Sequence, residues 1–299
     1  MPTLTKAHVR APLHFLPAPG NRMSSQKTLP LEYWGLERWP FGGVPDADRF
    51  YPTAGTNEAL ARIEHLVASR RRLGVLLGQA GVGKSFALRI SARQLERQGR
   101  AVALVNGTSV TTRELFWQIA AALAAAPRDD ADVAKLWRQI NDRVVENRLQ
   151  QVSTVLLVDD AGEAGADVLT QLVRFSRVDP VPAARWTMVL AAEPAQAAHW
   201  NETLRDLVDL KIDLHRWELE DTVGYVQTAL VDAGRFEPLF AEAALSRLHE
   251  AAGGIPRRVA RLADYALLAG AAAGLDMIDT TIIEAANEEL AWPAAVGAF

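Results

Sequence analysis

The chain first settles into a helical period at TNEALARIEHLVASRR, where Ala59, Leu60, Ile63, Leu66 and Val67 recur at three- and four-residue spacing and Thr56 is placed to cap. LGVLL, which comes next, is apolar throughout, as a strand buried on both faces of a parallel sheet must be. SFALRISARQLERQG returns to the helical period and ends at Gly99. AVALVN predicts a second strand, and two helices come after it, from about Thr112 to Ala126 and from Asp132 to Gln150. The second of these carries Val133, Leu136, Trp137, Ile140 and Val144 on one stripe. STVLLVDD is a third apolar strand, now ending in two carboxylates; a helix around Leu169 to Arg177 and the strand RWTMVLAA continue the alternation. Strands alternating with helices predict an α/β unit whose parallel sheet is covered by helices on both faces.

From Leu219 onward the strand signals stop. Four helical segments take over, DTVGYVQTALVDAG, AEAALSRLHEAAG, PRRVARLADYALLAGAAAG opened by Pro256, and DTTIIEAANEEL. This switch divides the chain into an α/β core over residues 31–216 and a smaller all-α part over residues 217–299. The residues before them, 1–30, mix Pro, Ser and Lys without the continuous apolar stretch of a leader and read as a flexible tail.

Composition narrows the chemistry. A length of 299 residues suits a main domain with a smaller companion. With no cysteine there is no disulfide, zinc-thiolate or iron-sulfur chemistry, and the six histidines fall without ligand spacing. A formal net charge of -4 offers no broad positive field to a polyanion, so any contact with DNA has to be a local patch and is not favoured. The longest apolar runs, IAAALAAA and ALLAGAAAGL, are too short for a membrane span, and a cytoplasmic location is expected.

The stretch LLGQAGVGKSFALRI then acquires meaning from its context. Between a buried strand and a helix, Gly78, Gln79, Ala80, Gly81, Val82 and Gly83 can curl so that successive backbone N–H groups point into one concavity, which suits phosphate oxygens. The helix opening at Lys84 adds its positive end; Lys84 can reach the outer phosphates, the Ser85 hydroxyl can ligate Mg2+, and Phe86 lies on the first turn. Asp159 ends the third strand, where such a sheet presents its ligand crevice, and is expected to anchor the magnesium. Asp160 would face the attacking water; its alternative is a helix cap or a solvated turn, and Glu163 is a second candidate for the water.

These pieces resemble the ExeA-type AAA+ ATPases, also called general secretion pathway protein A, over about Tyr33 to Leu290. The resemblance is carried by YWGLERWPFGGVPDADRFYP followed by EAL, by GQAGVGKS, by LLVDDA and by GGIPRRVARLAD. It implies a P-loop NTPase (AAA+) core with a small helical lid, ATP as the nucleotide, and Arg257 of GIPRR as the lid arginine that touches the γ-phosphate. An arginine there can pair with phosphate oxygens and couple lid angle to nucleotide state, whereas Arg258 also reads as a surface residue. Such proteins use ATP to drive or license assembly of a protein partner, and the working form is a homo-oligomeric ring or filament, or a monomer.

The chain also departs from the family. Asp160 stands where the family commonly has Glu, one methylene longer, which predicts slow hydrolysis. At the end of the fourth strand Ala192, Glu193 and Pro194 leave no recognisable first-sensor residue. A family arginine in the segment LVDLKIDLH, a candidate finger for a neighbouring subunit, is Lys211 here; Arg205 and Arg216 are the substitutes, and the sequence does not choose between them. Secretion-type members continue into a membrane helix and a peptidoglycan-binding region; neither pattern appears after the last helix, so a separate partner would supply any membrane link. The second functional reading is an ATP-dependent DNA-binding regulator similar to transposition ATPases.

Two further features have a bland and a sharp reading each. Trp34, Trp39, Phe41, Phe50 and Tyr51 either pack the entry segment onto the core or stack on bases. Arg70 to Arg72 either form a solvated helix end or touch phosphates.

Overall fold

The computed structural model describes residues 30–41 and 50–290; most of the 1–30 tail lies outside them. A parallel sheet forms the centre, with β1 (Leu73–Leu77), β2 (Ala101–Asn106), β3 (Thr154–Asp159), β4 (Trp186–Ala192) and β5 (Leu210–Asp213) in the order β2-β3-β4-β1-β5. Because every pairing is parallel, all strands end at one edge of the sheet. Registers Leu77↔Ala192 and Asn106↔Asp159 bring the end of β1 level with that of β4, and the end of β2 level with that of β3. In the strand order β4 separates β3 from β1, so the residues leaving β4 emerge between those leaving β3 and β1.

The short helix α1 (Pro30–Trp34) opens the described chain, and α2 (Ala54–Ala68) leads into β1. Alternate residues of the apolar strands serve opposite faces, which is why these strands carry no polar alternation. Val155, Leu157, Val189 and Ala191 pack with Ile63 and Leu66 of α2 and with Leu88 and Leu95 of α3 (Lys84–Arg97). Leu156, Val158, Met188 and Leu190 pack on the other side with α4 (Thr112–Ala122), α5 (Val133–Leu149) and α6 (Ala166–Ser176). There Phe175 stacks on Trp186 and meets Phe116 edge to face, and Arg174 lies 3.6 Å over the Trp137 ring. Two short helices, α7 (Pro194–Ala197) and α8 (Glu202–Asp206), connect β4 to β5.

Several boundaries differ from the sequence-based expectation for local reasons. The cap of α2 is Thr53 rather than Thr56: the Thr53 hydroxyl accepts the Thr56 N–H at 3.2 Å, so Thr56 lies inside the first turn. α4 stops at Ala122 instead of Ala126, because Ala124 and Ala126 adopt positive φ and Arg143 donates to the Ala124 carbonyl at 2.7 Å. Arg72 is neither solvated nor poised for phosphate: its guanidinium donates to the carbonyls of Val178 at 2.7 Å and Asp179 at 3.0 Å, tying the start of β1 to the segment after α6. Arg71 pairs with Asp209, and Arg70 turns the chain at φ 53.

After β5 come the short linker 214–218 and the helices α9 (Leu219–Asp232), α10 (Glu242–Ala252), α11 (Pro256–Ala273) and α12 (Thr280–Leu290). Their core, Val226, Leu230, Leu248, Leu262, Ala266, Leu267 and Ile283 among others, is shared with Trp34, Leu36 and Phe41 of the entry segment. The sequence division assigned that segment to the α/β part. Instead the Trp34 indole N–H donates to the Leu267 carbonyl at 2.8 Å, and that of Trp39 donates to Asp264. The aromatic group therefore splits: Trp34, Trp39 and Phe41 belong to the helical part, Phe50 packs on Phe86 of α3 at 5.5 Å, and Tyr51 meets Trp217 and Tyr225.

Candidate nucleotide site

The loop 78–83 leaves β1 with Gly78 N–H donating to the Ala192 carbonyl of β4 at 3.3 Å, and it closes on Gly83, which caps α3 in a left-handed conformation at φ 106. Gly81 is required for two reasons. Its φ is +81, and a Cβ would stand 3.0 Å from Ile255 Cγ2 and 3.1 Å from Arg257 Cβ. The start of α11 thus rests on the loop itself, and Arg257 N–H donates to the Gly81 carbonyl at 3.2 Å.

Lys84 is 7% exposed, and its Nζ donates to the carbonyls of Gly78 at 2.8 Å and Gln79 at 3.1 Å. Burial lowers its pKa below the ordinary lysine value; Glu193, Asp160 and Asp159 pull it back up, and Arg257 pushes it further down. Across the crevice the Ser85 hydroxyl donates to the Asp159 carboxylate. Burial raises the Asp159 pKa, the Ser85 bond opposes that, and the neighbouring Asp160 charge adds to it. The two residues expected to hold the metal are therefore in direct contact. Within the loop Val82 is buried in the core beneath it, and Phe86 packs against Phe50.

Asp160 takes a left-handed conformation, φ 49 and ψ 36, at the head of a 3-10 turn over Ala161–Glu163. Its side chain makes no capping bond there; its backbone N–H donates to Asp159 Oδ1 at 3.1 Å, and Asn106 Nδ2 lies 3.5 Å from its Oδ2. Glu163 is exposed in the turn. Of the candidate fingers, Lys211 is exposed and paired with Asp213 at 3.2 Å, and Arg205 is exposed on α8. Arg216 reaches the glycine loop of its own chain, with Nε donating to Gln79 Oε1 at 2.8 Å. Arg258 is exposed one residue beyond Arg257.

Sequence reasoning missed two members of this site. Glu193 comes directly after β4 and so emerges between Asp159 and the glycine loop; among the charges acting on Lys84 it is the strongest. Its backbone N–H is held by Gln196 Oε1 at 3.2 Å in a reciprocal capping box that opens α7. Asn106, at the end of β2 and in register with Asp159, faces Asp160. A polar residue at the C-terminal end of each strand was the available signal; strand order was needed to read it.

Residues 66–200 match the family described as AAA domain. General secretion pathway protein A of Aeromonas hydrophila is 28% identical over 247 residues, 81% of this chain but 45% of that protein, so the chain spans less than half the length of this relative. Among solved structures, Cdc6p from Pyrobaculum aerophilum superposes with a TM-score of 0.67 at 16% identity, covering 84% of this chain and 73% of that one. The Aeropyrum pernix ORC1 protein, solved in complex with DNA, gives 0.63 at 17% identity over 85% and 69%. At such identities the structural likeness speaks for the fold alone. Residues 66–200 thus match an AAA domain and share the P-loop AAA fold, in a chain similar to general secretion pathway protein A over 81% of its length.

Proposed function

We propose that this chain is an ATP-binding AAA+ ATPase in which Mg2+-dependent hydrolysis changes the angle between the α/β core and the helical lid and so drives assembly of a partner complex. The observation that carries the reading is the Ser85 hydroxyl bonded to the Asp159 carboxylate beside a glycine loop on which the lid residue Arg257 rests. Hard oxygen donors of this kind suit magnesium. A bound ion would be held by Ser85 and Asp159. When bound, the ion would supply charge neutralisation on the phosphates.

In this reading Lys84 serves the outer phosphates, Asp160 orients the water, and Arg257 contacts the γ-phosphate. Lys84 is suited to its part: buried and held on neutral carbonyls, it exchanges two dipoles for a full anionic charge when phosphate arrives. A homo-oligomer is proposed as the working form. The name of the Aeromonas relative suggests a secretion or cell-envelope process; no helix among the described residues is long and apolar enough to cross a bilayer.

The test is phosphate release by wild type, Lys84→Ala and Asp160→Asn, each with and without duplex DNA. Slow release by wild type, lost in both variants and indifferent to DNA, is expected. No release by wild type under any condition sinks the enzymatic reading; a wild-type rate in Asp160→Asn sinks the role given to that carboxylate. Release that requires DNA moves the assignment to the DNA-dependent regulator.

A further inference from the structure

The glycine loop is held at two separate points, by the linker after β5 and by the start of α11, and they belong to one continuous path. At one end Ile255 and Arg257 press on Gly81. At the other, Arg216 Nε donates to the side-chain oxygen of Gln79 at 2.8 Å. Between them Trp217 N–H donates to the Gly254 carbonyl at 2.8 Å, and Gly254, at φ +65, lies so close that a Cβ would meet the Trp217 carbonyl at 2.4 Å and Arg216 Cβ at 3.4 Å. The path therefore runs from Gln79 through Arg216 and Trp217 to Gly254, then through Ile255 and Arg257 back to Gly81.

Gln79 occupies a particular place on that path. Its backbone carbonyl receives Lys84 Nζ at 3.1 Å while its side chain receives Arg216, so two cations flank one loop residue. Among the described residues Arg216 has no carboxylate partner; its charge is spent on a neutral amide. A guanidinium binds a phosphate oxygen considerably more strongly than it binds an amide oxygen, and does so through two parallel donors. The side chain is exposed and free to exchange one acceptor for the other.

Resting on the reading of this loop as a nucleoside triphosphate site, we propose that Arg216 reads the terminal phosphate in its own subunit: a triphosphate draws the guanidinium off Gln79, and a diphosphate leaves it there. The movement is passed to the Gly254 turn because the backbone of Trp217, the next residue, is bonded to it. Arg216 thereby discriminates tri- from diphosphate and acts in cis, not as a finger for a neighbour.

Equilibrium binding of ATPγS and ADP to the full chain tests this, in wild type, Arg216→Ala and Arg216→Lys. A single charge-assisted contact at an exposed site predicts that Arg216→Ala weakens ATPγS roughly tenfold and leaves ADP within about twofold. Arg216→Lys should recover part of the loss, since it keeps the charge and loses the fork. The ADP affinity reports that the variant is folded. An unchanged ATPγS-to-ADP ratio, or an equal loss for both, overturns the proposal while leaving the nucleotide site standing; a loss that appears only as protein concentration is raised overturns the assignment in cis. Wild type that binds neither nucleotide overturns both this inference and the reading beneath it.

Discussion

Gly81→Ala, set beside Gly83→Ala, separates two effects that the loop combines. Both glycines have positive φ, +81 and +106, so each alanine carries a backbone penalty of at least about 1–2 kcal/mol. Around Gly83 a Cβ would meet nothing within 4 Å, whereas at Gly81 it meets Ile255 Cγ2 at 3.0 Å and Arg257 Cβ at 3.1 Å. Carbon atoms rest best at about 3.5–4.0 Å, so the start of α11 must retreat by a few tenths of an ångström. The Arg257 N–H to Gly81 carbonyl bond, already 3.2 Å, then lengthens, and losing it costs about 0.5–1.5 kcal/mol. Both variants should therefore melt several degrees lower, at about 2–4 °C per kcal/mol for a chain of this size. Amide hydrogen exchange distinguishes them: Gly81→Ala should speed exchange of the Arg257 amide roughly fivefold relative to the Val259 amide, which is bonded inside the helical part to the Ile255 carbonyl at 2.9 Å. Gly83→Ala should leave that ratio alone. Equal ratios in the two variants would show that the helical part does not bear on Gly81.

The charges of the site set two more outcomes. Asp159 has a folded pKa raised above the ordinary 3.8, so the folded state favours its protonated form; that contribution is present below 3.8 and is lost as pH rises through the folded value. At neutral pH and without magnesium, Asp159→Asn should thus be at least as stable as wild type, the difference closing as pH falls below the usual carboxylate range, and a clearly lower melting temperature at pH 7 would contradict the sign. Glu193→Gln removes the carboxylate that competes with phosphate for Lys84; at an interaction of about 1 kcal/mol it should tighten binding of ATPγS and ADP alike by roughly fivefold, measured at low salt, and unchanged affinities would mean the charge is too well screened to matter.

The parts of the site that were legible in sequence are those fixed by local chain geometry. Gly78 to Ser85 lie between an apolar strand and an amphipathic helix, and Asp159 ends another apolar strand, so periodicity alone put them at one sheet edge. Glu193 and Asn106 were not legible as partners because their meaning depends on β4 lying between β3 and β1 and on β2 lying beside β3. Arg72 and Arg216 were read as surface charges or fingers since their acceptors, the Val178 carbonyl and the Gln79 side chain, are 106 and 137 residues away. The entry segment was misassigned for a related reason. Trp34 and Phe41 announce burial, but composition does not say beneath which layer.

The placement of that segment constrains mechanics. Residues 30–41 are anchored among α9, α11 and α12, whereas Phe50 packs on α3 and Tyr51 on Trp217 and Tyr225. Since the Trp34 indole is bonded to the Leu267 carbonyl and that of Trp39 to Asp264, residues 30–41 travel with α11 whenever that helix shifts, and the entry segment is cargo of the helical layer although it precedes the sheet in the chain.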